Sequence, residues 1–363
     1  MTVEASTCRV HRECTDAAAM SYADYLRLDC ILTAQKGVSE ARGCALHDEH
    51  FFIVLHQSHE IWFKQILVEL GAVVEIRPER DDFFLCALPK LRRSAAIQKL
   101  LVQQISLLET LDRGQFLLLR SFLGNASGLQ SVQFPLIEAT MGIQRDLRLT
   151  EEATWLKQTE RDLLIVTLRR PSLGDLLISA LSSAWRRLER TPELRDFEAR
   201  WSEILTANEA HKIADCSDET RRGGAACTAF ERSREVVPPA FRLQPPNFAA
   251  QALPLPTALM ALRASIRHST DDTAICEALD AFVEMEDLLL SWRKSHASYV
   301  CALLGDLPGT GGTAGLHYLL GKIEKQPTTP LSTFRRSTRT RRAGESSSSI
   351  PAHFQQAESP LCP

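Results

Sequence analysis

The chain has 363 residues, 44% of them apolar and 24% charged, with a formal net charge of −3. That length supplies core for one large domain or two medium ones, and the near-neutral balance excludes a general electrostatic pull toward nucleic acid. No run of about 18 apolar residues occurs, so no membrane span is expected.

The start, "MTVEASTCRVHRECTD", is polar and lacks the apolar stretch of a secretory signal; residues 1–20 read as a loose arm. From residue 21, "SYADYLRLDCILTAQ" turns helical, with Ser21 as N-cap. A long helix is predicted over 48–75, stopped by Pro78 and the acidic "ERDD". A third runs over 89–120, and "LGNASGLQS" at 123–131 breaks it. Further helices are predicted at 135–147, 149–168, 174–191 and 192–212, then at 257–268 and 271–305. Residues 215–256 are a Pro- and Gly-containing loop, and "GDLPGTGGTAG" a second loop before a short helix to residue 325. β-branched alternation is nearly absent, so the fold class is all-α. Residues 326–363, rich in Ser, Arg and Pro, are expected to be disordered; five arginines lie between 335 and 342, as a solvated tail or a basic docking segment. The ten cysteines are scattered without a CxxC pair, which points to reduced thiols in a cytoplasmic protein.

Two of these helices carry histidine on an apolar stripe. In the first the stripe is Phe52, His56, His59, Phe63, Ile66, Leu70, in steps of four and three that keep one face. In the second it is Phe282, Met285, Leu289, Trp292, His296, Tyr299. A buried imidazole needs a hydrogen-bond partner or a metal. One such residue is ordinarily a satisfied core histidine; two on two helices point to a cofactor between them. Zinc would require three or four ligands, and a di-iron bundle Glu-x-x-His pairs on two helices; neither set is present. His47, Asp48, Glu49 and His50 read as a solvated first turn. Haem needs only one protein nitrogen on its proximal side and an apolar slot, so periodicity leaves b-type haem and a pair of core histidines both open.

The blocks "YADYLRLDCILTAQ", "HDEHFFIVLHQSHEIWFKQILVEL", "RSFLGNASGLQSVQF", "SWRKSHASYV" and "GTGGTAG" resemble, in order and spacing, those of the tryptophan 2,3-dioxygenase family. They span about residues 21–325. The resemblance implies an all-α homotetramer with one haem b per subunit, acting with O2 on L-tryptophan to give N-formyl-L-kynurenine. Nucleic acid and membrane are not implied as partners.

Position by position, the resemblance makes His296 the proximal iron ligand and His56 the distal histidine that meets the indole N–H. Phe52 matches the residue that packs on the indole, and the intervening backbone of Ile53, Val54 and Leu55 lines the same wall. Phe116 and Arg120 share one helix face; Arg120 matches the guanidinium that clamps the substrate carboxylate. Ser127 and Gly128 match the small-residue loop over the distal haem face, and Thr310 the threonine that holds the ammonium group. Tyr22 and Tyr25 match a segment that closes the neighbouring subunit's pocket. His59 stands where the family varies and reads as a packed or interfacial residue. Pro135 replaces a usual arginine, and the tail replaces the family's C-terminal helix, which bears on tetramer packing. The rival readings are a haem monooxygenase of the same superfamily, acting on a modified tryptophan or tyrosine, and a non-catalytic haem or tryptophan sensor; His56, Arg120 and Thr310 together favour the dioxygenase.

Overall fold

The computed structural model describes residues 20–143, 155–188, 269–305, 316–324 and 329–338, with isolated positions between 191 and 309. Among the described residues there is helix and turn but no strand. The N-terminal part holds three short helices, α1 (Tyr22–Leu26), α2 (Leu28–Ile31) and α3 (Val38–Ala41). Then come α4 (His47–Val74) and α5 (Phe83–Gln104), a 3-10 turn over Ile105–Thr110, and α6 (Arg113–Leu123). Next are α7 (Gln133–Met141), α8 (Gln158–Arg169), α9 (Leu173–Leu188) and the longest helix, α10 (Thr270–Leu304). Two short helices follow, α11 (Leu316–Glu324) and α12 (Pro330–Thr338). The predicted helix at 192–212 and the loop at 215–256 lie outside the described residues, and only isolated positions of the helix at 257–268 are described.

The frame is a layer of α4, α5 and α10. Arg92 pairs with Glu277 and Lys99 with Glu284. An advance along α5 therefore matches the same advance along α10, and the two run parallel. Gln104 bonds Ser58 while Arg93 pairs with Glu69, so α4 runs antiparallel to α5. The early turns of α4 thus lie beside the late turns of α10. The partly exposed ion pairs fix register more than they stabilise. Cohesion comes from buried Phe63, Ile66 and Leu70 of α4, Leu88 and Leu91 of α5, and Phe282, Met285 and Leu289 of α10. Leu177, Leu181 and Trp185 of α9 close one side of that core.

The ends follow local chemistry. Ser269 caps α10, accepting the Asp272 N–H at 3.1 Å, and Asp271 and Asp272 lie in its first turn, where the helix dipole favours negative charge. Gly305, at φ +57°, ends the same helix in a backbone region that favours glycine.

The expected single helix over 89–120 is corrected in two ways. Its first part begins six residues earlier, and Pro89 lies inside it. A proline there removes one donor and loosens the preceding turn; the Lys90 ammonium donates to the Cys86 carbonyl at 2.9 Å in that turn. Its middle tightens into the 3-10 turn, where Ser106 and Thr110 hydroxyls donate back to the Gln103 and Leu107 carbonyls. Asp112 then caps α6, accepting the Gln115 N–H at 2.8 Å. Pro135 falls in the first turn of α7, where the missing N–H costs no helical bond.

The expected disorder of 326–363 is corrected for residues 329–338. Leu331 and Phe334 of α12 are buried in the main core. Arg335 donates through Nε and Nη2 to the two Asp280 oxygens, each at 3.0 Å, and through Nη2 to the Cys276 sulfur at 2.7 Å. The Thr329 N–H donates to the buried Glu286 carboxylate at 2.9 Å. An arginine expected in solvent is therefore a buried anchor on α10; residues 339–363 lie outside the described residues. Phe334→Ala is expected to lower stability by about 3 kcal/mol, measured by chemical denaturation; an unchanged midpoint would mean that α12 is not docked.

Candidate active site

Antiparallel packing brings the two histidine-bearing stripes together at one end of the layer. On α4, the His56 Nδ1–H donates to the Phe52 carbonyl at 2.7 Å, which leaves Nε2 as the acceptor. The Phe52 and His56 rings lie 4.1 Å apart, and Phe52 and Phe116 of α6 lie 5.9 Å apart. His56 keeps an open face to solvent. The protein around it still disfavours the cation: burial lowers its pKa below the ordinary value, although the Phe52 carbonyl and the Glu60 charge act the other way.

On α10, His296 stacks on Trp292 with centroids 5.2 Å apart and planes 17° from parallel. Trp292 in turn meets Phe63 at 5.9 Å and Phe134 at 4.9 Å. Burial, then the electrostatic influence of His56, His59 and Arg293, push the His296 imidazole down to about 4. The ring is therefore neutral at physiological pH and, among the described residues, makes no hydrogen bond. A neutral, uncommitted ring nitrogen in an apolar wall is what an axial haem ligand requires. No three His, Cys, Asp or Glu side chains converge among the described residues, so the donor set suits a single-nitrogen ligand rather than a polydentate ion.

The N-terminal segment is fastened beside His56. Gln57 donates to the Ala34 carbonyl at 3.2 Å and accepts from Gln35 at 2.6 Å. One helical turn before Phe52, Glu49 accepts the Val38 and Ser39 N–H groups at 2.8 and 3.0 Å, and the Ser39 hydroxyl. Burial alone would raise the Glu49 pKa, but the Ser39 and Val38 donors hold it below the ordinary value. A Cβ at Gly37 would lie 2.5 Å from the Glu49 carboxylate, which would have to shift. The reading of residues 47–50 as a solvated turn is thus corrected at Glu49, which is buried. Asp48 accepts the Asp112 N–H at 3.0 Å and so ties α6 to α4, and Arg113 donates to the Leu303 carbonyl of α10 at 3.2 Å.

The remaining expected residues divide. Arg120 is half-buried one turn after Phe116 on α6. Ser127 is half-buried and donates its N–H to Gln130 at 3.3 Å; a Cβ at Gly128 would meet open space. Ile53 is half-buried, but Leu55 is buried with Ile105 and Leu108, and Val54 is 41% exposed. Tyr22 and Tyr25 are 76% and 74% exposed on α1. Thr310 lies outside the described residues.

Sequence reading missed the tie that steadies this end of α10. Arg293, three residues before His296, pairs with buried Glu138 of α7 and lies over the Phe134 ring at 5.3 Å. Burial raises the Glu138 pKa, and Arg293 opposes that shift. The visible trace was a lone carboxylate in the apolar run "FPLIEATM".

The family profile described as Tryptophan 2,3-dioxygenase matches residues 6–338. The chain is 32% identical over 320 residues to tryptophan 2,3-dioxygenase of Rattus norvegicus, covering 83% of this chain and 77% of that protein. It is 31% identical over 323 residues to the Xenopus laevis protein of that name, with the same coverage. The Alteromonas mediterranea protein of that name is 32% identical over 325 residues, covering 82% of this chain and 86% of its own length.

Breaking a buried pair leaves the surviving charge uncompensated. Arg293→Met is expected to cost about 3–5 kcal/mol at pH 8. The cost should shrink as pH falls, because the Glu138 carboxylate, already raised by burial, then takes up a proton. Denaturation midpoints at pH 5 and pH 8 check this; a loss that is equal at both would contradict it.

Proposed function

The chain belongs to the tryptophan 2,3-dioxygenase family, and from that premise we propose that it is a haem-dependent oxidoreductase cleaving the indole C2–C3 bond of L-tryptophan with O2. The product is N-formyl-L-kynurenine, and the reaction opens the kynurenine pathway. The observation that carries this reading is the neutral, uncommitted His296 imidazole, facing the same end of the layer as His56.

His296 would hold the iron of haem b, and Trp292 stacks on the His296 ring. The cofactor, when bound, supplies dioxygen activation; the protein supplies orientation and water exclusion. His56 accepts the indole N–H through Nε2, the nitrogen left available by its bond to the Phe52 carbonyl. An indole N–H is a very weak acid, so this contact orients the ring. Phe52 and Phe116 flank it, with Ile53 beside them. Arg120 takes the carboxylate as a planar two-pronged donor, and Thr310 takes the ammonium group. Ser127 and Gly128 cover the distal side. Held at both ends of its amino-acid backbone, the substrate presents C2 and C3 to the oxygen site, which is catalysis by proximity. The exposure of Tyr22 and Tyr25 is in keeping with their closing a neighbouring subunit's pocket in a homotetramer. Among the described residues no helix is long and apolar enough to cross a membrane, and the five described cysteines are free thiols; both accord with a cytoplasmic enzyme.

The test is the full chain reconstituted with hemin and mixed with L-tryptophan, ascorbate and air. N-formylkynurenine absorbance is expected. A different oxidised product would establish a monooxygenase, and binding without turnover a sensor; either overturns the proposal. His296→Ala is expected to abolish or grossly weaken haem retention, and a normal Soret band in that variant would refute the ligand assignment. Arg120→Ala is expected to keep its haem and lose about 100-fold in kcat/KM, the order for removing one partner of a desolvated charge pair. Unchanged efficiency would remove the carboxylate clamp.

A further inference from the structure

His59 is the one histidine of the α4 stripe that the proposed chemistry does not use. It is over nine-tenths buried, with 7% relative exposure. Its Nδ1–H donates to the Leu55 carbonyl at 2.9 Å, which places the lone pair on Nε2. Nε2 has no hydrogen-bond partner, and neither does the buried indole nitrogen of Trp292. The first is an acceptor and the second can only donate. Their rings are neighbours, with centroids 6.1 Å apart. The Leu101 carbonyl also faces the His59 ring, but with the ring's one proton on Nδ1, Nε2 has none to donate to it. Two complementary orphans side by side in a core are best satisfied by each other, through a direct bond or a single bridging water.

We propose that His59 is a positioning residue for His296, acting through Trp292: its Nε2 accepts the Trp292 indole N–H and so fixes the plane on which the His296 imidazole stacks. The three rings then form one line from α4 into α10. The Phe63 and Phe134 rings confine Trp292 from its other sides without supplying an acceptor. A hydrogen bond adds direction to that apolar packing, and the indole's orientation passes to His296 through the 17° stack. The functional meaning rests on the reading of His296 as an iron ligand; the hydrogen bond itself does not.

The experiment follows two NMR signals in the full chain without added hemin, the Trp292 indole N–H and the His296 ring protons, which the stacked indole shifts. It then follows the ferrous iron–histidine stretch by resonance Raman after hemin is added. In His59→Phe the indole N–H is expected to move upfield, the His296 ring signals to shift, and the iron–histidine stretch to change. His59→Gln, which restores an acceptor, is expected to return all three toward wild type, a rescue that packing alone would not give. Trp292→Phe removes the donor instead, so adding His59→Phe to it should produce no further change at His296. An unmoved indole N–H in His59→Phe overturns the proposal. So does a moved indole with unmoved His296 signals. A wild-type chain that takes up no hemin would sink the proposed function, while the hemin-free signals would still decide the link.

Discussion

A neutral imidazole held flat against an indole is the contact on which the site depends. The surroundings of His296 keep its lone pair free of a proton well below neutral pH, and burial is the first cause. The same burial would be ruinous for a cationic ring. The aromatic wall of Trp292, Phe63 and Phe134 therefore does two things at once: it lowers proton affinity and it fixes orientation. Arg293 adds a nearby positive charge, tolerated because Glu138 balances it and Phe134 stacks beneath it.

The long helices give that contact its address. Antiparallel α4 and α10 place an early histidine of one beside a late histidine of the other. Around this junction the polar ties are short and specific. Glu49 gathers the donors of the N-terminal segment, Asp48 receives α6, and Arg113 reaches the last turn of α10. Each tie fastens a neighbouring segment to a helix that carries a histidine.

Much of this was legible in the chain. The stripe through Phe52, His56 and Phe63 gave α4 to within a residue at each end, and the stripe through Trp292 and His296 gave α10 equally well, because buried faces repeat with the helical period. The histidines stood out because imidazole is costly in such a stripe. Glu49, Glu138 and Arg335 were not legible, since a long-range polar pair leaves no periodic trace. Arg335 stands in the sequence with four neighbouring arginines, a pattern of solvated charge, yet Asp280 and Cys276 on α10 hold it in the core. Pro89 misled in the opposite direction: its local preference marked a helix start, and packing against α4 and α10 overrode it.

The docking of α12 has a consequence for how the protein is made. The groove on α10 that Leu331, Phe334 and Arg335 fill stays open until those residues exist. A ribosome delivers them after every other described helix, so the hydrophobic centre is sealed only when synthesis has passed residue 335. Until then Leu331, Phe334 and Arg335 cannot cover Cys276 and Asp280 on α10, and a chain stopped short of them would leave that side of the core without its lid of α12.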